Sequence, residues 1–278
     1  PKWDDLPQDQ KPEMGFLKLR KGLDLFANLR PAIPFDALLN ASSLKEEVIK
    51  DTNIMIVREL AGGIYFGEPR SYGEEEAYNT LRYNRHEIER ISKMAFELAK
   101  ARSGKVTSVD KANVLESSQF WRDQVRKIHC QYPDIVLNDM LADNAAMQLV
   151  RDPRQFDVIL TQNLFGDILS DITAMITGSL GMLPSASIGS KHAMYEPVHG
   201  TAPEIAGKNI ANPIAMIASL SMMLEFTFKD TKTSQELDRS IAQILNDGMR
   251  TQDIAQAGDN VLNTQEMAQA IIDVFLSF

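Results

Sequence analysis

Short apolar runs bounded by turn residues alternate with longer stretches of helical periodicity along nearly the whole chain. That alternation constrains the fold more than any other feature, because strands that take turns with helices stack into an α/β arrangement. Candidate strands occupy residues 25–29, 53–58, 105–109, 134–137, 157–160 and 193–196, each mostly aliphatic or β-branched as buried parallel or mixed strands are. Helical spacing covers residues 13–24, 86–101, 117–129, 140–150, 165–177, 213–228, 234–245 and 264–278. One segment breaks the alternation: the glycine- and proline-containing stretch 62–70 runs into a polar stretch, 71–80, and predicts an extended arm or hairpin. No internal repeat or low-complexity tract interrupts the pattern.

Charge and length narrow the function classes. With 278 residues, 44% of them apolar and 24% charged, the chain can bury one large core or two ordinary ones, which excludes intrinsic disorder. The 38 acidic against 29 basic residues leave a net charge of −9, which repels phosphates and anionic surfaces, so neither nucleic acid nor membrane is expected as a partner. A lone Cys130 cannot close an internal disulfide and suits a reducing compartment, the cytoplasm or an organelle matrix. The start at Pro1 has neither signal-peptide character nor an initiator methionine, and is read as following upstream sequence.

Several common sites are missing. There is no G-x-G-x-x-G fingerprint, and the P-loop-like Gly104-Lys105 lacks the first glycine and the closing hydroxyl residue. Four histidines without H-x-x-x-H spacing make zinc hydrolysis a poor fit, and no G-x-S-x-G elbow occurs.

What remains is a set of carboxylates and arginines. After the strand at 157–160, Asp167 and Asp171 stand at i, i+4 on one face of a helix, where two like charges repel unless something cationic lies between them. Hard carboxylate oxygens without His or Cys partners suit Mg²⁺ or Mn²⁺; the alternative is a solvated acidic face. Asp139 and Asp143 repeat the spacing, either as a strand-end site or as acids favoured at a helix N-terminus. Arg20, Arg30 and Arg58 each close an apolar element; converging, their guanidinium forks would suit a dicarboxylic acid, and separately they are surface charges. Phe16 and Leu17 share the helix face of Arg20, as an apolar wall for a branched substrate arm or as core. The irregular stretch 196–213 is rich in small residues that let a flat ring approach the backbone, with Glu204 placed to accept from ribose hydroxyls; the alternative is an ordinary loop with a helix cap.

These segments resemble the β-decarboxylating dehydrogenase family, which contains the isocitrate and isopropylmalate enzymes. The carriers are Leu19-Arg20-Lys21, the stretch 25–31, Val57-Arg58-Glu59-Leu60 with Gly62-Gly63-Ile64-Tyr65-Phe66-Gly67, the stretches 110–114 and 163–171, and 199–213, so the resemblance spans essentially the whole chain. It implies a two-domain, non-Rossmann α/β fold with a mixed parallel and antiparallel sheet. Residues 1–25 and 178–278 would form the cofactor domain and 26–177 the substrate and dimerisation domain, with an arm near 62–82. The family's first strand would precede Pro1, and without it the chain is expected to be neither stable nor active. By the same resemblance Arg20, Arg30 and Arg58 bind substrate carboxylates, Glu13, Phe16 and Leu17 face an isopropyl arm, and Tyr65 and Lys111 form the acid/base pair. Asp143, Asp167 and Asp171 would hold Mg²⁺ or Mn²⁺, with a monovalent cation as a further cofactor. His199, Gly200, Thr201, Ala202, Pro203, Glu204, Ile205 and Asn212 would bind NAD. The implied active unit is a homodimer in which Lys111 and Asp143 enter the neighbour's site, and the implied reaction is oxidative decarboxylation of 3-isopropylmalate in leucine biosynthesis. Phe16 and Glu204 depart from the family's usual Leu and Asp. A sibling dehydrogenase acting on tartrate, malate or isocitrate, or a non-catalytic subunit of the same fold, are the competing expectations.

Overall fold

A computed structural model describes residues 5–7 and 10–278. In chain order it contains α1 (Pro12–Gly22), β1 (Leu25–Ala32), α2 (Glu46–Ile49), β2 (Ile54–Glu59), β3 (Ser71–Tyr72), β4 (Ala77–Tyr78), α3 (Arg85–Lys100) and β5 (Lys105–Asp110). There follow α4 (Glu116–His129), β6 (Val136–Leu141), α5 (Ala142–Arg151), β7 (Val158–Thr161), α6 (Asn163–Thr177), β8 (Pro184–Gly189) and β9 (Ala193–Pro197). The chain ends in α7 (Ile214–Phe226), α8 (Thr231–Asn246), β10 (Met249–Arg250), β11 (Asn260–Val261) and α9 (Thr264–Phe275).

Seven strands form one sheet in the order β6-β5-β7-β2-β1-β8-β9. From β6 to β2 the pairings are parallel, and from β2 through β1 and β8 to β9 they are antiparallel, so the sheet is mixed as the α/β reading implies. Alternation splits each strand between two layers. Leu29, Val57, Val106 and Leu160 face α3 and α4 around Phe96 and Trp121, whereas Ala32, Ile56, Val109 and Ile159 face α5 and α6 around Leu149 and Leu169. A third core, built from Ile214, Ile241, Leu245, Met267 and Ile271, joins α7, α8 and α9.

The arm expected after residue 62 is a turn followed by a small exposed hairpin, in which Ser71 pairs with Tyr78 and Tyr72 with Ala77. The reading of the sequence needs correction at four points. The strand placed at 134–137 runs instead from Val136 to Leu141, in parallel register with β5, and the helix placed from 140 begins at Ala142. Asp139 therefore lies on a strand and Asp143 on a helix, and their helical i, i+4 relation does not exist: Asp139 accepts from Arg126 at 2.6 and 3.0 Å instead. The strand β8 was not foreseen, because Pro-Ser-Ala-Ser-Ile-Gly carries too little aliphatic bulk to stand out; it is fixed by partners on both sides, β1 and β9.

Candidate active site

The site grows from β1, β2 and the start of α6. Asn28 pairs with Arg58 across β1 and β2, and because side chains alternate along a strand, Arg30 emerges on the face that carries Arg58. Both arginines are buried beneath α6. A guanidinium out of water must have its donors satisfied. Arg30 Nε donates to Asn28 Oδ1 at 2.6 Å and Nη1 to Ser170 Oγ at 2.5 Å, while Asn28 itself donates to Ser187 of β8 at 3.0 Å. Arg58 Nε and Nη2 both donate to Asn163 Oδ1, at 3.0 and 2.8 Å, and Nη1 donates to Asp167 Oδ1 at 2.5 Å.

Asp167 is where these groups meet. Its Oδ2 accepts from the Tyr65 hydroxyl at 2.8 Å, and Arg30 Nη1 lies 3.8 Å from its Oδ1. Burial works to raise its pKa, but Arg58, the Tyr65 hydroxyl and Arg30 together outweigh burial and hold it below the ordinary carboxylate range. Asp171, one turn further along α6, is pushed up by burial and by the charge of Asp167, which outweigh Arg30 and Arg58. Burial and the bond to Asp167 push the Tyr65 phenol up to about 12, so it carries its proton at neutral pH. Burial and the neighbouring Arg58 lower Arg30 to about 10, and burial lowers Arg58 as well.

Arg20 on α1 lies near enough to the other two arginines for its charge to be felt by both, where it contributes to lowering Arg30 and Arg58. Its Nη2 donates to Glu196 of β9 at 3.1 Å, its guanidinium stacks over the Phe16 ring at 4.3 Å, and its Nε is buried without a partner among the described residues. Phe16 and Leu17 are half-buried on the same helix, whereas Glu13 is exposed.

Lys111 and Asp143 stand apart from that cluster. Asp110 is fully buried and grips Arg122 through both oxygens, at 2.9 and 2.8 Å, while accepting from the Ala112 N–H at 2.9 Å, which fixes the turn that presents Lys111. Lys111 Nζ donates to Asp143 Oδ1 at 2.6 Å, and that bond holds the exposed Asp143 carboxyl below its ordinary pKa. Among the described residues no three His, Cys, Asp or Glu side chains come together as a metal cage, so one chain brings Asp167 and Asp171 together without Asp143. The pair that remains still fits a hard divalent cation: Mg²⁺ is commonly held by one or two carboxylates, with substrate oxygens and water completing the shell.

The loop after β9 lines a cavity of about 800 Å³. His199, Gly200, Thr201, Ala202, Ile205 and Asn212 of the predicted cofactor set line it. Pro203 and Glu204 lie on the short turn Pro203–Ile205 and are exposed; they are not among the lining residues. The sequence reading missed Asp253, whose Oδ2 accepts from Ser179 at 2.6 Å and from Asn212 at 3.2 Å, tying together three segments of the cavity wall. It also missed Asn28, Asn163, Ser170 and Glu196 as arginine partners, because nothing in local spacing separates a polar side chain that partners an arginine from one that faces water.

Residues 1–271 match the family model described as isocitrate/isopropylmalate dehydrogenase. The 3-isopropylmalate dehydrogenase of Chlorobium chlorochromatii is 60% identical over 98% of this chain and 77% of its own length. That of Wolinella succinogenes is 55% identical over 97% of this chain and 76% of its own. The crystal structure of isocitrate dehydrogenase from Methylococcus capsulatus superposes with a TM-score of 0.87 at 38% identity, covering 97% of this chain and 79% of that one.

Proposed function

The chain belongs to the isocitrate/isopropylmalate dehydrogenase family of oxidoreductases, and we propose that within it the substrate is 3-isopropylmalate, decarboxylated oxidatively to 4-methyl-2-oxopentanoate and CO₂ with NAD and Mg²⁺ or Mn²⁺. The observation that carries this reading is the meeting of Tyr65, Arg58 and Arg30 at Asp167, with Arg20 and Phe16 beside them. Three guanidinium groups close together suit an acid with two carboxylates, and Arg20 Nε, without a partner among the described residues, is a donor that such an acid would satisfy. Phe16 and Leu17 offer apolar surface to an isopropyl arm.

Asp167 and Asp171 of one subunit would hold the divalent cation together with Asp143 of the other, and the lining residues from His199 to Asn212 would hold NAD. When bound, the cation supplies Lewis acidity toward the substrate's hydroxyl and carboxylate oxygens, and the nicotinamide accepts hydride. The residues of the chain do the rest. The arginines fix the carboxylates so that the reacting bonds are aligned. Lys111, in the neutral amine form that has a lone pair to offer, takes the hydroxyl proton, and Tyr65, which keeps its own proton at neutral pH, gives that phenolic proton to carbon after CO₂ has left.

A homodimer with shared sites is part of the proposal, as is the division into residues 1–25 with 178–278 and 26–177. The separation of the Lys111–Asp143 pair from Asp167 within one chain supports the first. No helix among the described residues is long and apolar enough to cross a membrane. The test is NADH formation from 3-isopropylmalate with Mg²⁺, beside isocitrate, malate and tartrate, in this chain and in one extended to the length of its relatives. Turnover confined to 3-isopropylmalate is the expected result. Turnover of another acid moves the assignment to that acid, and silence with all four overturns the catalytic reading.

A further inference from the structure

The guanidinium of Arg58 is anchored by a neutral amide at the start of α6. A guanidinium has five N–H groups, and the two on its long edge, at Nε and Nη2, converge on the single oxygen Asn163 Oδ1. Nη1 gives one hydrogen to Asp167. Each terminal nitrogen therefore keeps one hydrogen that no described residue accepts, two donors available to a substrate carboxylate.

Asn163 is itself held on every polar atom. Its Nδ2 donates to the carbonyls of Gly62 at 3.0 Å and Leu60 at 3.4 Å, and its backbone N–H, an orphan donor in the first turn of α6, donates to Tyr83 Oη at 2.8 Å. Glu59, fully buried, secures the same turn by accepting from the N–H groups of Ala61 and Gly62 at 3.0 and 2.8 Å. The turn passes directly under the Tyr83 hydroxyl: Gly63 has φ +81°, and a Cβ there would collide with Tyr83 Oη. These contacts lock the Asn163 amide with its oxygen toward Arg58.

We propose that Asn163 is a positioning residue for Arg58, presenting the two unengaged donors of its guanidinium to the substrate carboxylate, with Tyr83 and Glu59 holding Asn163 in place. The chemistry selects a neutral amide. An aspartate there would neutralise Arg58 and face the carbonyls of Leu60 and Gly62, whereas asparagine accepts from the cation without cancelling its charge and donates to both carbonyls. This inference rests on the reading of Arg58 as a carboxylate-binding residue.

The test uses Asn163→Ser and the milder Tyr83→Phe in the full chain, with two readouts. Losing a hydrogen bond to a charged group should raise KM for 3-isopropylmalate about 10- to 100-fold in Asn163→Ser and several-fold in Tyr83→Phe, with KM for NAD unchanged. Unchanged substrate KM, or equal rises for both substrates, overturns the positioning role. The second readout needs no substrate: exchange of the Arg58 Nε–H, followed by ¹⁵N NMR and assigned through Arg58→Lys. Slow exchange in the parent and about tenfold or faster exchange in Asn163→Ser is expected; equal protection in both overturns the proposal. Should the parent fail to turn over 3-isopropylmalate, the proposed activity falls while the Nε–H exchange still decides the role of Asn163.

Discussion

Asp167 accepts from a neutral tyrosine and an arginine at once and lies within 3.8 Å of a second arginine, so hydrogen bonds and positive charge already hold its carboxylate. If Asp167 and Asp171 hold a divalent ion as proposed, that ion would stabilise the folded state by mass action, about 2.7 kcal/mol at a hundred times Kd. Mg²⁺ is expected to raise the melting temperature of the parent chain and to leave that of Asp167→Asn unmoved, which melts with and without the ion will check. A second residue sets a pH dependence. Burial pushes the Glu59 carboxyl up to about 7, against the partial relief given by the N–H groups of Gly62 and Ala61. The folded chain then binds this proton more tightly than the unfolded chain, whose carboxyl titrates near 4.5. The stability it contributes is complete below the unfolded value and is lost as pH rises through the folded one, an effect of about 3 kcal/mol at most. Glu59→Gln should therefore lose less stability between pH 5 and pH 8 than the parent in urea titrations; an identical loss in both would place the titration elsewhere.

At the scale of elements, α6 depends on one missing side chain. A Cβ added at Gly166 would fall 2.6 Å from Arg58 Cγ and 2.8 Å from its Cβ, so the helix can cross β2 this closely only with glycine there. Alanine ordinarily favours a helix interior over glycine by about 1 kcal/mol. Here the steric clash should reverse that sign, and Gly166→Ala is expected to destabilise the chain by about 1–3 kcal/mol and to weaken substrate binding by shifting Arg58; unfolding curves and KM check both parts. Helices such as α6 were legible in the sequence because a long amphipathic period survives local noise, and Asp167 and Asp171 were legible because one turn of that helix separates them. The strand β8 was not, since its small side chains take their conformation from β1 and β9. Asp139 was misjudged for a related reason: the end of β6 is set by pairing with Ser108, Val109 and Asp110, a contact about thirty residues distant that local periodicity cannot report. Arg58 stood out in the sequence at the end of an apolar run, but Asn163, which accepts from it, did not, because the residues it bonds lie 80 to 105 positions away.

Across the whole molecule the chemistry is divided between two places. Tyr65, Asp167 and the arginines form one cluster, and Lys111 with Asp143 forms another. The helices that carry the aspartates also expose apolar residues, Met147 and Val150 on α5 and Ile168 and Met175 on α6, which a solvated helix would not favour and an interface would bury. Both features fit a dimer whose sites each draw on two chains. Subunit mixing separates this from a self-contained site. Lys111→Ala and Asp167→Asn should each abolish turnover alone. If Lys111 serves the neighbour, a mixed dimer rebuilds one intact site, with Asp167 from the Lys111→Ala subunit and Lys111 from the Asp167→Asn subunit, and leaves the other site doubly defective. Random reassociation of equal amounts should then recover about a quarter of parental activity, since half the dimers are mixed and each has one working site of two. If Lys111 served its own chain, every site in every combination would carry a lesion, and mixing would recover nothing.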